Sequence, residues 1–267
     1  MTIGIFDSGM GGLTVMRALK QRLPGESFLY LGDTARLPYG TKSGDTVTRY
    51  AVQAASALMK RKVKMLVVAC NTASAVALPA LEEMFAPMPV GGVIVPGAEA
   101  AGATAPEGPI ASIATEGTVK GGAYVRAIED HGRSIPVIQQ ACSLFVSIAE
   151  EGLVEGDIAE AIARRYIEPL LAAVPKPKAL VLGCTHFPAL KTAISAVAGR
   201  DVALVDSAEI TALAVETILR EANLLGSDEP APPHFLATDA PDRFSRVGEI
   251  FLGTPIDPEA VELVDLQ

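Results

Sequence analysis

Residues 178–188 read KALVLGCTHFP, and residues 64–74 read KMLVVACNTAS. In both segments a lysine precedes a short apolar run that ends in a cysteine, and a threonine follows one or two positions later. Short runs that are continuously apolar and rich in Val and Leu are typical of strands buried in a parallel sheet. The repetition therefore predicts two similar strand-turn units, each with a thiol at its carboxyl end.

The same kind of strand pattern recurs along most of the chain. Eight short apolar runs are each followed by a helical pattern, which is typical of parallel α/β architecture. They form two sets of four, and counterparts lie about 110 residues apart, which indicates an internal duplication. The predicted strands are residues 3–6, 27–31, 65–69 and 92–95 in the first set, and residues 110–114, 135–139, 179–183 and 202–205 in the second.

The duplication also predicts the domain organisation. The expected fold class is α/β, with two pseudosymmetric parallel-sheet α/β domains and the active site in the cleft between them. We expect the first domain to comprise residues 1–96 plus 207–267, and the second residues 97–206. An amphipathic helix is predicted over residues 209–225. Residues 234–252 have strand and helix character without a counterpart in the duplicated core, so we expect them to pack back onto the first half.

Composition and charge exclude several classes of function. The 267 residues are 49% hydrophobic and 20% charged, which is typical of a globular chain with one or two domains. The net charge of −9 would repel nucleic acid or an anionic membrane. The dense basic run, Lys60-Arg61-Lys62, is better explained as the solvated end of a helix. The N-terminal residues lack the pattern of a secretion signal, so we expect a cytoplasmic protein without nucleic-acid or membrane partners. The sequence leaves open whether the protein forms a homodimer.

The cysteines are the strongest chemical signal. Cys70 and Cys184 both follow predicted strands, at the end where ligands bind in open parallel sheets. If the halves face each other, the two thiols lie on opposite walls of one cleft, and a carbon between them can lose a proton to one thiol and regain one from the other. The alternative, two ordinary core cysteines, does not account for the repeated Cys and Thr. Cys142 lacks that context and is expected to be structural.

Inversion of a stereocentre by two thiols requires neither metal nor organic cofactor, and none is expected. A thiol with a pKa of about 8.5 needs help to ionise at neutral pH. The candidate helpers are Asp7, His186 and Glu150, with Glu151 beside the last. Asp7 is equally typical of a helix cap, and a single histidine is more often structural, so neither assignment is secure from the residues alone.

The glycine-rich segment after the first predicted strand, DSGMGG, differs from the known phosphate-binding loops. It lacks the third glycine of a dinucleotide fingerprint and the Lys-Ser/Thr ending of a P-loop. The segment instead allows close approach of backbone N–H groups to a small anion such as a carboxylate, next to the hydroxyl of Ser8.

Several motifs together resemble the glutamate racemases of the aspartate/glutamate racemase family. The matching segments are IGIFDSGMGGLTV, YLGDTARLPYG, VVACNTASA, GVIVPGA, ATEGTVKGGAY, the ACSLFVSIAEEG region and LVLGCTHFP. They extend from the first residues to about residue 210. The resemblance implies a cofactor-independent racemase that interconverts L- and D-glutamate and supplies D-glutamate for peptidoglycan.

The resemblance also implies roles for individual residues. Cys70 and Cys184 would be the two bases, with Asp7 assisting Cys70, and with His186 and Glu150 assisting Cys184. The substrate glutamate would be bound by Asp7, Ser8, Tyr39, Gly40, Asn71, Thr72, Thr115, Thr118, Thr185 and His186. For Thr118, helix capping is an equally good explanation. The alternatives are a racemase of another acidic amino acid such as aspartate, and a non-catalytic dicarboxylate-binding module.

Overall fold

The computed structural model describes residues 1–131, 135–173, 175–226 and 230–266, and these form two parallel β-sheets. The first sheet has the strand order β10-β9-β2-β1-β3-β4, and the second has the order β6-β5-β7-β8. The strands are β1 (Thr2–Asp7), β2 (Ser27–Gly32), β3 (Met65–Val68), β4 (Val90–Gly92), β5 (Ile110–Ala114), β6 (Val137–Ala141), β7 (Ala179–Gly183), β8 (Ala203–Asp206), β9 (His234–Ala237) and β10 (Val261–Leu263).

Helices connect the strands, as parallel pairing requires. They are α1 (Leu13–Arg22), α2 (Gly44–Met59), α3 (Asn71–Phe85), α4 (Ile94–Thr104), α5 (Glu116–Lys120), α6 (Ala123–Asp130), α7 (Ser143–Glu150), α8 (Asp157–Leu171), α9 (Lys191–Ala198), α10 (Ser207–Glu221) and α11 (Pro241–Leu252). Short 3₁₀ turns cover Tyr39–Thr41, Phe187–Leu190 and Pro258–Ala260. Within the described residues, no helix is both long enough and apolar enough to cross a membrane.

The strand order of the first four strands is repeated in the next four. In each set the first strand lies between the second and the third, giving β2-β1-β3-β4 and β6-β5-β7-β8. The connection after β1 therefore runs to one side of the sheet and the connection after β3 runs to the other, which makes the gap between these strands a topological switch point. The same holds for β5 and β7. Ligands bind beyond the carboxyl ends of the strands at such switch points. The expected α/β class with two parallel sheets is confirmed.

Most predicted strands agree with the structure to within one residue at each end, and two differ more. The strand expected at residues 135–139 is shifted to Val137–Ala141. The strand expected at residues 92–95 is wrong, because the strand is Val90–Gly92 and Ile94 already begins α4. Short apolar runs do not distinguish strands from buried helices. Pro96 is tolerated in the first turn of α4, where a backbone N–H has no partner in the helix.

The C-terminal segment returns to the first sheet, as expected. Strand β9 pairs in parallel with β2, with Phe235 opposite Tyr30, and β10 pairs with β9. The helix predicted over residues 209–225 is α10, Ser207–Glu221. The domain limits at residues 96 and 207 stay a prediction. One hydrophobic cluster contains residues of both sheets, among them Ile5, Val67 and Leu182, so the two halves share a packed core.

Candidate active site

Cys70 lies two residues after the end of β3 and is the N-cap residue of α3. Its Sγ accepts the backbone N–H of Ala73 at 3.4 Å and lies 3.4 Å from Ser8 Oγ. Burial raises the pKa of the thiol to about 12, and the charge of Asp7 adds to this effect, while the contacts to Ser8 and Ala73 oppose it. In this state Cys70 holds its proton at neutral pH and can act as a proton donor.

Asp7 ends β1 and is fully buried. Its Oδ2 accepts the backbone N–H of Gly9 at 2.9 Å, whereas Oδ1 has no hydrogen-bond partner among the described residues. Burial raises the pKa of this carboxyl, against the opposing influence of the positive charge of His186. A buried carboxylate oxygen without a partner is rare in proteins and requires an explanation, such as a role in proton transfer or ligand binding.

Cys184 follows β7, at the place in the second sheet that corresponds to Cys70. Its Sγ lies 3.8 Å from Nδ1 of His186, and Nε2 of His186 lies 3.0 Å from Oε1 of Glu150. The other carboxylate oxygen of Glu150 accepts from Nη2 of Arg243 at 2.6 Å. The structure thus joins three of the predicted catalytic residues into one chain of contacts.

Within this series of contacts, the neighbouring groups favour the charged forms of both His186 and Glu150. Burial alone would lower the pKa of His186, but the contacts to Cys184 and Glu150 raise it to about 10. Burial opposes ionisation of Glu150, yet hydrogen bonds from His186 and Arg243 hold its pKa below the usual range. His186 is therefore an imidazolium at neutral pH. An imidazolium beside a thiol favours the thiolate form, which is the nucleophilic and basic form of cysteine.

Three threonine hydroxyls form a polar cluster that spans the two halves. Thr72 Oγ1 lies 2.9 Å from Thr115 Oγ1 and 3.3 Å from Thr118 Oγ1, and the last two are 3.1 Å apart. Thr115 is the N-cap residue of α5, but its side chain makes no capping hydrogen bond. Thr118 lies inside α5 and is fully buried. The side chains thus serve the cluster instead of helix capping.

Glycines allow the loops of the first half to approach the second half closely. A Cβ on Gly11 would lie 2.4 Å from Nδ1 of His186 and 2.5 Å from Oγ1 of Thr185. A Cβ on Gly40 would lie 2.6 Å from Cβ of Thr115. The hydroxyl of Thr14 donates to the backbone carbonyl of Thr185 at 2.9 Å. The glycines of DSGMGG and of the Tyr39–Thr41 turn therefore bring the backbone against the second-half residues of the site.

Other predicted binding residues have partners within the protein. The hydroxyl of Tyr39 donates to Asp33, and Nδ2 of Asn71 donates to the hydroxyl of Tyr124 at 2.9 Å. The carbonyl Oδ1 of Asn71 is buried without a partner among the described residues and is free to accept from a ligand. Glu151 is exposed at the end of α7, so Glu150 is the acidic residue that reaches the site.

Sequence reasoning missed two residues that contact the site. Arg243 binds Glu150 across 93 residues of sequence, and the ring of Phe251 packs edge-on against His186 with centroids 4.9 Å apart. Both lie on α11. The amphipathic pattern of this helix could not identify them as site residues, because an arginine in such a pattern is typical of a solvated face. Cys142 is buried, with Sγ 3.5 Å from the carbonyl of Gln140, in line with a structural role.

Four strands of each sheet share one order, and a thiol follows the third strand of each set along the chain, which defines an α/β protein of two matched halves. The chain belongs to the Asp/Glu/hydantoin racemase family, whose model matches residues 3–215. It is accordingly an enzyme of the racemase class, and the resemblance of its motifs to that family is confirmed.

Individual relatives agree with this assignment. The chain is 50% identical to a glutamate racemase of Geobacter metallireducens over 94% of its own length and 92% of the relative's. Its fold matches the crystal structure of glutamate racemase isoform RacE1 from Bacillus anthracis with a TM-score of 0.93, at 36% identity over 99% and 97% of the two chains. Glutamate racemase from Francisella tularensis, solved in complex with D-glutamate, matches with a TM-score of 0.91, at 38% identity over 99% and 97%.

Proposed function

We propose that the protein interconverts L- and D-glutamate, with Cys70 and Cys184 as acid–base groups on opposite faces of the substrate Cα. One observation carries the proposal: the two thiols follow the equivalent strands β3 and β7 of two four-strand sets that have the same strand order. The names of the relatives support glutamate as the substrate, and one relative was solved with D-glutamate bound.

The proposed reaction consists of two proton transfers. For L-glutamate, the thiolate of Cys184 takes the Cα proton, and the thiol of Cys70 delivers a proton to the opposite face. For D-glutamate the roles are reversed. The two thiols must therefore be in opposite protonation states. Burial and Asp7 keep Cys70 protonated, and the positively charged imidazole of His186 lies 3.8 Å from Sγ of Cys184.

The substrate carboxylates would be bound by hydroxyls, an amide and backbone N–H groups. Suitable donors are the cluster of Thr72, Thr115 and Thr118, with Thr185 and Ser8 nearby, and backbone N–H groups of the glycine loop and of Tyr39-Gly40. Such donors satisfy a carboxylate without a fixed cation. Aimed at the charge that develops on the α-carboxylate, they would lower the barrier to carbanion formation.

The wider role follows from the product. We propose that the reaction runs without metal or organic cofactor, in the cytoplasm, and that it supplies D-glutamate for peptidoglycan. No nucleic-acid or membrane partner is part of the proposal, and a homodimer is the one assembly included in it.

The test is to incubate the protein with L-glutamate or L-aspartate in deuterated water. Optical rotation and Cα deuterium content are then followed together. We expect loss of rotation and uptake of deuterium with L-glutamate, and much slower change with L-aspartate because its side chain is one methylene shorter. Faster turnover of L-aspartate would assign the protein to the alternative substrate. Absence of exchange with both amino acids would contradict the proposed reaction.

A further inference from the structure

We infer that Arg243 is a positioning residue for proton transfer at Cys184, because it fixes the carboxylate that orients His186. This inference rests on the proposed two-thiol reaction. The carboxylate of Glu150 is divided between two partners, with Oε2 accepting from Arg243 at 2.6 Å and Oε1 lying 3.0 Å from Nε2 of His186. The opposite ring nitrogen of His186 then faces Cys184 at 3.8 Å.

Helix α11 contacts both Glu150 and His186. Arg243 holds Glu150, and Phe251, about two turns further along, packs against the imidazole of His186 with an interplanar angle of 73°. Glu150 is only 11% exposed as a side chain, whereas Arg243 is 40% exposed. The arginine thus lies between solvent and the acid–base groups. Asp7, from the first half, also acts on His186 through its charge.

The position of α11 gives the contact a further property. Arg243 follows β9, which is part of the first sheet, whereas Glu150 and His186 lie on connections of the second sheet. The ion pair therefore bridges the two halves. It forms only when the halves are packed together, so the orientation of His186 depends on the assembled state of the molecule.

A recess beside the ion pair explains why Glu150 requires an anchor. Its volume is about 360 Å³, which is far more than a carboxylate occupies. Without Arg243, the side chain of Glu150 can rotate into this space and release Nε2 of His186. The imidazole would then lose the partner that keeps Nδ1 towards Cys184. The lining residues are Glu150, Glu151, Arg243, Arg246, Val247 and Ile250.

The experiment separates the two walls of the site. A substitution changes kcat/KM for racemisation by the same factor in both directions, because the equilibrium constant between the enantiomers is fixed. Exchange of the Cα proton with solvent deuterium, without inversion, reports on the two thiols separately: exchange in L-glutamate reports on Cys184, and exchange in D-glutamate reports on Cys70. For Arg243→Gln we expect exchange in L-glutamate to slow about tenfold through kcat with KM unchanged, while exchange in D-glutamate stays near the wild-type rate.

Two further variants make the result specific. Arg243→Lys should restore most of the exchange in L-glutamate, because it keeps a cation that can donate to Glu150. Arg246→Gln removes the same charge one turn later from an exposed side chain without a hydrogen bond or ion pair to the described residues, and should behave as wild type. In Arg243→Gln the acidic limb of L-glutamate exchange should also move to higher pH, since Glu150 loses a stabilising cation.

The inference is overturned if Arg243→Gln retains wild-type exchange in L-glutamate, or slows exchange in both enantiomers alike. Its failure is distinguishable from failure of the proposed function. If Cys184→Ser abolishes exchange in L-glutamate while Arg243→Gln does not affect it, the two-thiol reaction stands and the role of Arg243 is wrong. If Cys184→Ser leaves that exchange intact, the reaction itself is wrong.

Discussion

Thr72 Oγ1 lies 2.9 Å from Thr115 Oγ1, and this contact joins the start of the helix after β3 to the residue after β5 of the other sheet. The two switch points of the duplicated fold are therefore in direct contact. A ligand bound at these strand ends would meet hydroxyls that are already hydrogen-bonded to each other. Such hydroxyls need little rearrangement to turn towards a carboxylate, which reduces the entropic cost of binding.

The two thiols are expected to serve one enantiomer each. Cys70→Ser and Cys184→Ser should each lower racemisation by about 10²- to 10⁴-fold, because a hydroxyl is a far weaker base than a thiolate. With a β-chloro amino acid, which loses chloride after removal of the α proton, Cys70→Ser should still process the L-form and Cys184→Ser the D-form. The measurement is chloride release from each enantiomer.

The control for this series is Cys142→Ala, which removes the third buried thiol and should keep both activities. Unfolding midpoints of the serine variants should stay close to that of the wild type, because serine is nearly the size of cysteine. Loss of the same enantiomer in both serine variants would contradict the placement of the thiols on opposite faces.

Gly11→Ala should inactivate the protein without unfolding it. The added Cβ would lie 2.4 Å from Nδ1 of His186, so the glycine loop and the imidazole cannot both keep their positions. We expect racemisation to fall at least about tenfold, since a displacement of about 1 Å in an active site has large effects on rate. Activity and thermal unfolding are measured together. Gly44→Ala is the matched control, because its nearest neighbour would be at 3.7 Å. Equal activities of the two variants would refute the prediction.

The pH dependence of racemisation should be bell-shaped, because one thiol must be ionised while the other keeps its proton. The rate rises with pH as the single thiolate that the reaction requires is formed, while Cys70, with its pKa raised to about 12, keeps the proton that it must donate. It falls again as His186 loses its proton near its pKa of about 10. The kcat/KM for both enantiomers is measured from pH 6 to pH 10.5. His186→Gln should lose the alkaline limb, and an optimum below pH 7 would be inconsistent with these pKa directions.

Tyr39→Phe should affect stability more than substrate binding through the hydroxyl. The phenol donates to Asp33, a fully buried carboxylate that also accepts from Arg36 at 2.7 Å and from Thr238 at 2.9 Å. Removal of one of its donors should cost about 1–3 kcal/mol of unfolding free energy. Denaturant unfolding measures this loss, and KM for glutamate should change less than twofold. A large increase in KM at unchanged stability would show that the hydroxyl binds substrate directly.

The strands and both thiols were predictable because their signals are local. The segments before Cys70 and Cys184 repeat the same apolar run, and the carboxyl end of a parallel strand is where chemistry is expected. The strand at residues 92–95 was misplaced because a short apolar run followed by Pro96 reads equally well as the first turn of a buried helix.

The contacts of Arg243 and Tyr124 were not predictable, because both arise from tertiary packing. Arg243 meets Glu150 only after the C-terminal segment has added β9 to the first sheet. Tyr124 meets Asn71 only when α6 packs against the first half. No periodicity or spacing in the sequence carries information on such distant pairs. The glycine at position 11 was visible as part of a loop, but the atoms it makes room for belong to the other half.

The strand pair β9 and β10 has a consequence for shortened versions of the chain. Strand β9 covers one edge of β2, with Tyr30 opposite Phe235 and Leu31 opposite Leu236. A chain that ended before residue 234 would leave unpaired those N–H and C=O groups of the buried strand Ser27–Gly32 that are directed towards β9, and open sheet edges of this kind promote aggregation. Such a truncation should therefore precipitate, although all the residues proposed for catalysis would still be present.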